Sequence, residues 1–310
     1  MGLEGRDLLT LGDLSPDEVA LVLERAKIQK RMWAQSSNRP RPLADRAVAI
    51  IMLKPSMRTR ISFEVAVRHL GGAPIMLIGE GSVFSRGESV KDTVKVLERY
   101  CDCIVLRTYD QSHLDEVAQH ASVPVINALT DDYHPCQVLA DLLTIDEHFG
   151  RLAGLKLAYV GDGNNMANTL LIGAALTGMN AVVACPPGFE PLKAAVTRAQ
   201  EIASATGAVL SVVRDPREAV DGADVVVTDT FTSMGQEGEH DKRLAQFRGY
   251  QVDTGLMLFA KPEAIFMHCL PAHRGEEVTD QVIDSAQSVV YDEAGNRMRA
   301  QKALLSLIMG

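Results

Sequence analysis

The sequence is short of positive charge. It holds 31 Lys and Arg against 40 Asp and Glu, a formal charge of −9. A general nucleic-acid binder usually carries the opposite excess or a basic stripe, so that class is excluded, although net charge leaves room for a local cationic cleft. Cysteine is scarce too: there are five, an odd number, with no C-x-x-C pair. That excludes a disulfide scaffold and fits a reduced, cytosolic protein. Long apolar runs are missing. None reaches the ~18 residues of a membrane helix, and apolar patches such as 47–53 have strand length. The opening Met1-Gly2-Leu3-Glu4-Gly5-Arg6 has no basic stretch leading into an apolar one, which predicts no signal peptide. Arg6 stands where N-myristoylation prefers Ser or Thr. Low-complexity tracts and short-period repeats are absent.

What is present reads as an ordinary globular chain: 310 residues, 46% hydrophobic and 23% charged. That length suggests about two domains. Ser15-Pro16-Asp17-Glu18 forms a capping box with Pro at the first helical position, and Val19, Val22, Leu23 and Ala26 continue the helical stripe. Short apolar, β-branched runs follow at 47–53, 74–78, 103–107 and 124–129, separated by amphipathic stretches such as 61–70, 88–100 and 113–121. A second series of runs lies at 156–160, 181–184, 210–213, 224–227 and 265–269, with a helical stretch at 191–206. Continuous apolar strands alternating with helices predict parallel sheets covered on both faces. The fold class is therefore α/β, with two doubly wound parallel-sheet domains linked by helices. The break is expected in the helix 134–149 and the glycine-bounded turn 150–154. A last helix, 296–309, is apolar enough to dock, though its pattern does not say on which domain. In such sheets ligands bind beyond the carboxyl ends of the strands, so residues there carry the functional reading.

Five clusters occupy those positions. Lys54-Pro55-Ser56-Met57-Arg58-Thr59-Arg60 leads from a strand into a helix. Free N–H groups and the dipole at a helix start favour an anion, and arginines add forked donors suited to phosphate. An isolated S-x-R-T-R is as readily a capped helix with solvated arginines. Arg107 ends another strand, where burial without an anion is costly. Asp131-Asp132-Tyr133-His134-Pro135-Cys136-Gln137 places a His and a Gln at a helix start, able to hold a carbonyl or an amide, or simply to cap. Gly161-Asp162-Gly163-Asn164-Asn165 resembles a dinucleotide fingerprint, but the third Gly is missing and the next strand ends in Cys185-Pro186-Pro187 with no acidic residue. Asp229-Thr230-Phe231-Thr232-Ser233-Met234-Gly235 offers an Asp and a Ser to an ammonium group. His268-Cys269-Leu270-Pro271 invites a thiol-protease reading, yet neighbours on a strand point to opposite faces. No Cys/His pair has metal-ligand spacing.

In combination and order, S-x-R-T-R, H-P-x-Q, D-x-x-x-S-M-G and H-C-L-P resemble the aspartate/ornithine carbamoyltransferase family from Lys54 to Arg297. The resemblance implies a carbamoyl phosphate domain over 1–149, with a C-terminal helix of about 290–310 packed back on it, and an ornithine domain over 150–289. It implies transfer of the carbamoyl group to the δ-amine of L-ornithine, giving citrulline and phosphate without a covalent enzyme intermediate. Ser56, Met57, Arg58 and Thr59 would bind phosphate. Arg107, His134 and Gln137 would hold the phosphate or carbonyl end and the amide. Cys269 and Leu270 would face the carbamoyl group, and Arg297 would reach its carbonyl oxygen. Arg107, His134, Cys269 and Arg297 form the implied catalytic set. Asn165, Asp229, Ser233 and Met234 would bind the amino-acid end of ornithine, with Leu129 close by. The aspartate branch has H-P-L-P-R where this chain has His268-Cys269-Leu270-Pro271-Ala272, and the putrescine and acetylornithine branches lack S-M-G, which favours ornithine.

Two departures stand out. Met57 replaces the family's usual Thr. Val83 stands where the family lends a Gln or His to the neighbouring subunit, leaving Arg86 or Ser82 to take over. No cofactor or metal, no nucleic acid and no membrane are implied; a cytoplasmic homotrimer, or a multiple of trimers, in arginine biosynthesis is. The competing readings are a carbamoyltransferase for a related amine, an NAD-dependent oxidoreductase and a non-catalytic relative.

Overall fold

Valine, isoleucine, leucine and alanine crowd the short runs between turns, and in the computed structural model those runs become parallel strands. The structure describes residues 2–35, 39–79, 84, 87–233, 235 and 237–310. The chain divides into two compact units, Met1–Ala140 with Asn296–Gly310, and Asp141–Gly295.

The first unit contains α1 (Pro16–Gln35), β1 (Ala47–Met52), α2 (Met57–His69), β2 (Ala73–Ile78), α3 (Val90–Leu97), β3 (Cys103–Arg107), α4 (Gln111–His120), β4 (Val125–Leu129) and the start of α5 (Pro135–Phe149). Its sheet runs β2-β1-β3-β4, all parallel. β3 and β4 are buried along their whole length, as expected of strands covered on both faces. Ile51, Ile104, Leu106, Leu114 and Val117 form one core cluster, each such side chain contributing about 1.5–3 kcal/mol. The predicted capping box is present: Ser15 N donates to Glu18 Oε2 at 2.8 Å and Glu18 N to Ser15 Oγ at 3.3 Å. One helix starts earlier than its pattern predicted. Ser56 Oγ accepts from Thr59 N at 3.2 Å, so α2 opens at Met57 and not at 61. Met57, Arg58 and Thr59 are thus its first turn.

The second unit contains β5 (Lys156–Val160), α6 (Asn165–Thr177), β6 (Asn180–Ala184), α7 (Lys193–Thr206), β7 (Leu210–Val213), α8 (Pro216–Val220), β8 (Val225–Thr228), α9 (His240–Gln246), α10 (Thr254–Met257), β9 (Ile265–His268) and α11 (Asp280–Ile283). Its sheet runs β7-β6-β5-β8-β9, also parallel. Phe247 stacks on Phe231 at 4.6 Å and meets Phe189 edge-on at 4.8 Å, inside a core that includes Phe266 and Val226. α12 (Val290–Ile308) ends the chain, and from Asn296 it groups with the first unit. Among the described residues, no helix is long and apolar enough to cross a membrane.

Both sheets are α/β and doubly wound, and each reverses its winding once: between β1 and β3 in the first, between β5 and β8 in the second. Ligands of such sheets sit beyond the strand ends at the reversal. The residues there are 53–59 and 107–108 in one unit, and 161–165 and 229–233 in the other.

Candidate functional site

In the first unit the reversal gathers cations. Arg107, the last residue of β3, donates from Nε to the Lys54 carbonyl at 3.0 Å and from Nη1 to Thr59 Oγ1 at 3.4 Å. Arg297, on α12 and 238 residues beyond Thr59, donates to the same Oγ1 at 3.0 Å. Lys54 extends its ammonium to Asp131 Oδ1 at 2.6 Å, a half-exposed carboxylate. Arg107, Arg297, Lys54, His134 and Gln137 are all buried. Arg58 stands in the first turn of α2, its Nε buried and with no hydrogen-bond partner among the described residues. Met57, by contrast, is 69% exposed, so that position can serve an anion through its backbone N–H. These donors stand at the N-terminus of a 13-residue helix, where dipole and free N–H groups add to the positive field.

His134 sits just before Pro135, which opens α5 and needs no donor there. Burial, then the charges of Arg297, Arg107 and Lys54, hold its imidazole well below the usual histidine value. It is therefore neutral at physiological pH, with one ring N–H to donate. Gln137 lies in the first turn of the same helix. Leu129 ends β4 in this same unit.

In the second unit the centre is Asp229, buried beyond β8. Its Oδ2 accepts from Asn164 Nδ2 at 2.8 Å and its Oδ1 from Cys269 Sγ at 3.2 Å. Asn164 also caps α6, its Oδ1 accepting from Met166 N at 2.9 Å and from the Tyr159 hydroxyl at 3.2 Å. Asn164 is thus the residue that fixes Asp229, whereas the sequence reading singled out Asn165, the first residue of α6. Arg243 completes the frame. It pairs with Asp162 and donates from Nε to the Phe231 carbonyl at 2.5 Å, fastening the segment that carries Thr232 and Ser233. Burial pushes the Asp162 carboxyl up to about 6, against the opposing pull of Arg243.

His268 and Cys269 do part, as strand alternation predicted. Cys269 meets Asp229, while His268 Nδ1 accepts from Leu270 N at 2.9 Å and its Nε2 meets Glu277 Oε1 at 3.1 Å. Both ring nitrogens are engaged, so the Asp229–His268–Cys269 grouping does not offer its histidine to a metal. One of the dinucleotide-like glycines, Gly163, has a packing reason. A Cβ on Gly163 would fall 2.3 Å from Pro191 N, and Gly163 N donates to Phe189 O at 2.8 Å. The chain's own 189–191 segment lies where a pyrophosphate would have to approach.

The predicted residues divide between the units. Ser56, Met57, Arg58, Thr59, Arg107, Leu129, His134, Gln137 and Arg297 belong to the first, and Asn165, Asp229, Ser233, Cys269 and Leu270 to the second. Met234 lies outside the described residues, as do Val83, Ser82 and Arg86. Sequence reasoning did not assign Lys54, Asp131, Asn164 or Arg243. Lys54 had a signal, a cation directly after a buried strand; Arg243 had none.

Comparison with known proteins meets this geometry. Residues 6–147 match the family description aspartate/ornithine carbamoyltransferase, carbamoyl-P binding domain, and residues 153–308 match its Asp/Orn binding domain. An ornithine carbamoyltransferase of Symbiobacterium thermophilum is 52% identical, covering 99% of each chain. The solved structure of ornithine carbamoyltransferase from Pyrococcus furiosus is 48% identical with a TM-score of 0.96, covering 100% of this chain and 99% of its own. That from Gloeobacter violaceus is 48% identical with a TM-score of 0.89, covering 99% of each chain. The chain belongs to the aspartate/ornithine carbamoyltransferase family.

Proposed function

We propose that the protein transfers the carbamoyl group of carbamoyl phosphate to the δ-amine of L-ornithine, giving L-citrulline and phosphate. The observation that carries this is the convergence of Arg107 and Arg297 on Thr59 Oγ1 at the buried start of α2. It supports a cationic site suited to a phosphate dianion. Relatives named ornithine carbamoyltransferase, about half identical over their full length, support ornithine as acceptor; one is described as anabolic, which supports a biosynthetic role.

The mechanism follows from the groups available. The amine attacks as the free base. An alkyl amine with a pKa near 10.4 is neutral in only about one molecule in a thousand at pH 7, so the site selects that form. The new C–N bond forms as the C–O bond to phosphate breaks, its electron pair leaving on phosphate, and the nitrogen releases one proton. Arg58, Arg107 and the backbone of Ser56, Met57 and Thr59 hold the departing phosphate. Neutral His134 and Arg297 donate to the carbonyl oxygen as it gains charge, and Gln137 takes the amide. Asp229, with Ser233, Met234 and Asn165, takes the amino-acid end of ornithine. Cys269 and Leu270 shape the space around the reacting amine, and Leu129 contributes to ornithine binding. Orientation of two bound substrates can itself contribute about 7–11 kcal/mol.

The test is a colorimetric citrulline assay with carbamoyl phosphate and, separately, ornithine, putrescine, aspartate and acetylornithine. Turnover with ornithine alone is expected. Turnover with another amine keeps the reaction and overturns the acceptor assignment. We also infer a cytoplasmic homotrimer or multiple of trimers. Light scattering should then give a mass of three times 33.6 kDa or a multiple of that.

A further inference from the structure

A cationic cavity, of about 380 Å3, lies in the first unit at the C-terminal end of α2. It is one helix length, about 20 Å, from the Ser56–Thr59 turn. Ile28, Met32, Leu70 and Trp33 give it apolar walls. Arg25, Arg39, His69 and Lys302 stand around them, and no carboxylate is among the described residues of the lining. The Trp33 ring is covered by His69, stacked at 3.9 Å, and by the Arg39 guanidinium at 3.7 Å. Lys302 is only 4% exposed. Its ammonium lies 4.5 Å from the Trp33 ring and, among the described residues, makes no hydrogen bond or ion pair. Burial, then Arg299 and Arg39, push it down to about 8. His69 is held below its usual value by burial and by Lys302, Arg39 and Arg299, and its buried Nδ1 has no hydrogen-bond partner among the described residues.

A buried ammonium without an anion is costly, and carbamoyl transfer makes no use of these residues. We propose that the cavity binds a small amphipathic oxyanion. Its carboxylate or phosphate head would lie on Lys302, with Arg25 and Arg39 as forked donors. Its body, about the size of a benzene ring or a short acyl chain, would lie against Ile28, Met32 and Leu70. The volume is in the range of ordinary small-molecule sites. With several fixed cations, a dianionic head binds more tightly than a monoanionic one.

Trp33 is the only tryptophan, so its fluorescence reads this cavity directly. The probes are phenyl phosphate, hexanoate, neutral hexanol and inorganic phosphate. Saturable changes are expected with phenyl phosphate and, more weakly, with hexanoate; hexanol and inorganic phosphate should bind at least about tenfold more weakly than phenyl phosphate. Lys302→Met should weaken phenyl phosphate by about tenfold or more, raise the Tm of the free protein, and leave the basal carbamoyl-transfer rate within about twofold. Arg25→Met, at the rim, should weaken it several-fold and guards against a folding defect in the first variant. Arg58→Ala should not alter the response; its abolition there would assign the ligand to the other site. No saturable change with either organic anion, or unchanged affinity in Lys302→Met, overturns the proposal. Inorganic phosphate binding as tightly as phenyl phosphate overturns the role of the apolar walls.

Discussion

Thr59→Val isolates the contact on which the reading of the first unit rests. The substitution keeps the shape of a β-branched side chain and removes only the hydroxyl. That hydroxyl is the shared acceptor of Arg297, at 3.0 Å, and Arg107, at 3.4 Å. The Ser56 cap survives, because it uses the Thr59 backbone N–H. A hydrogen bond from a charged donor is worth about 1.5–3 kcal/mol. The longer contact lies beyond the normal range and adds little, so one full bond is the appropriate count. The expected loss is about ten- to 150-fold. It should appear in kcat/KM for carbamoyl phosphate, measured from citrulline formation at saturating ornithine, because the misplaced guanidinium groups serve phosphate and carbonyl. The KM for ornithine should stay within about threefold. Thr59→Ser, which restores the oxygen, should recover most of the loss. A Thr59→Val enzyme within twofold of wild type would refute the reasoning, and so would a Thr59→Ser enzyme as damaged as Thr59→Val.

Other perturbations test other contacts. Arg58→Ala should weaken carbamoyl phosphate more than Arg297→Lys does, by about ten- to 150-fold, in isothermal titration; equal small effects would deny Arg58 its role. Cys269→Ala should keep measurable turnover if the thiol only shapes the acceptor space beside Asp229, and complete loss in a folded protein would make it a direct participant. Asp162→Asn leaves Arg243 buried without its charge partner and should cost about 3–5 kcal/mol in urea unfolding, whereas a loss below 1 kcal/mol would mean water reaches the pair. His134 is held neutral in the native state but protonates near 6.5 when unfolded, so its unfolded form takes up the extra proton. Stability should therefore fall as pH drops below about 6.5, more steeply in wild type than in His134→Asn, and equal slopes by urea unfolding at pH 5 to 6.5 would contradict a neutral buried imidazole.

Much of the fold could be read directly because its information is local. A run such as 103–106 is apolar at every position before Arg107 ends it, the pattern expected of a strand covered on both faces; the observed β3 is Cys103–Arg107. Helix starts were less legible, and α2 shows why. Its apolar stripe begins near Ile61, but its first turn is polar and is defined by a cap, Ser56 to Thr59 N. A periodicity argument begins the helix where burial begins, not where the backbone turns. The same displacement explains Asn164 and Asn165. Both follow β5, but the cap position turns Asn164 toward Asp229 and gives it two helix N–H groups, and no spacing rule distinguishes adjacent asparagines.

The contacts that could not be read are those between residues far apart in the chain. Arg243 meets Asp162 across 81 residues and Arg297 meets Thr59 across 238. Neither helix carries a local sign of its partner. What the sequence does carry is a constraint on charge. Lys54, Arg107 and Arg297 lie within or beside apolar segments, and burying such cations is unfavourable without an anion to meet them. The structure gives Lys54 one half-exposed carboxylate and gives Arg107 and Arg297 neutral oxygens from Lys54 and Thr59. Their field is strong enough to help keep the adjacent His134 unprotonated. A site arranged in this way gathers positive charge at a helix start, and a phosphate dianion complements that charge. The same reasoning applies to Lys302 at the far end of α2, buried beside arginines and an indole ring in a cavity with no carboxylate among the described residues of its lining. One electrostatic rule therefore describes the site at the start of α2 and makes the cavity at its far end worth testing.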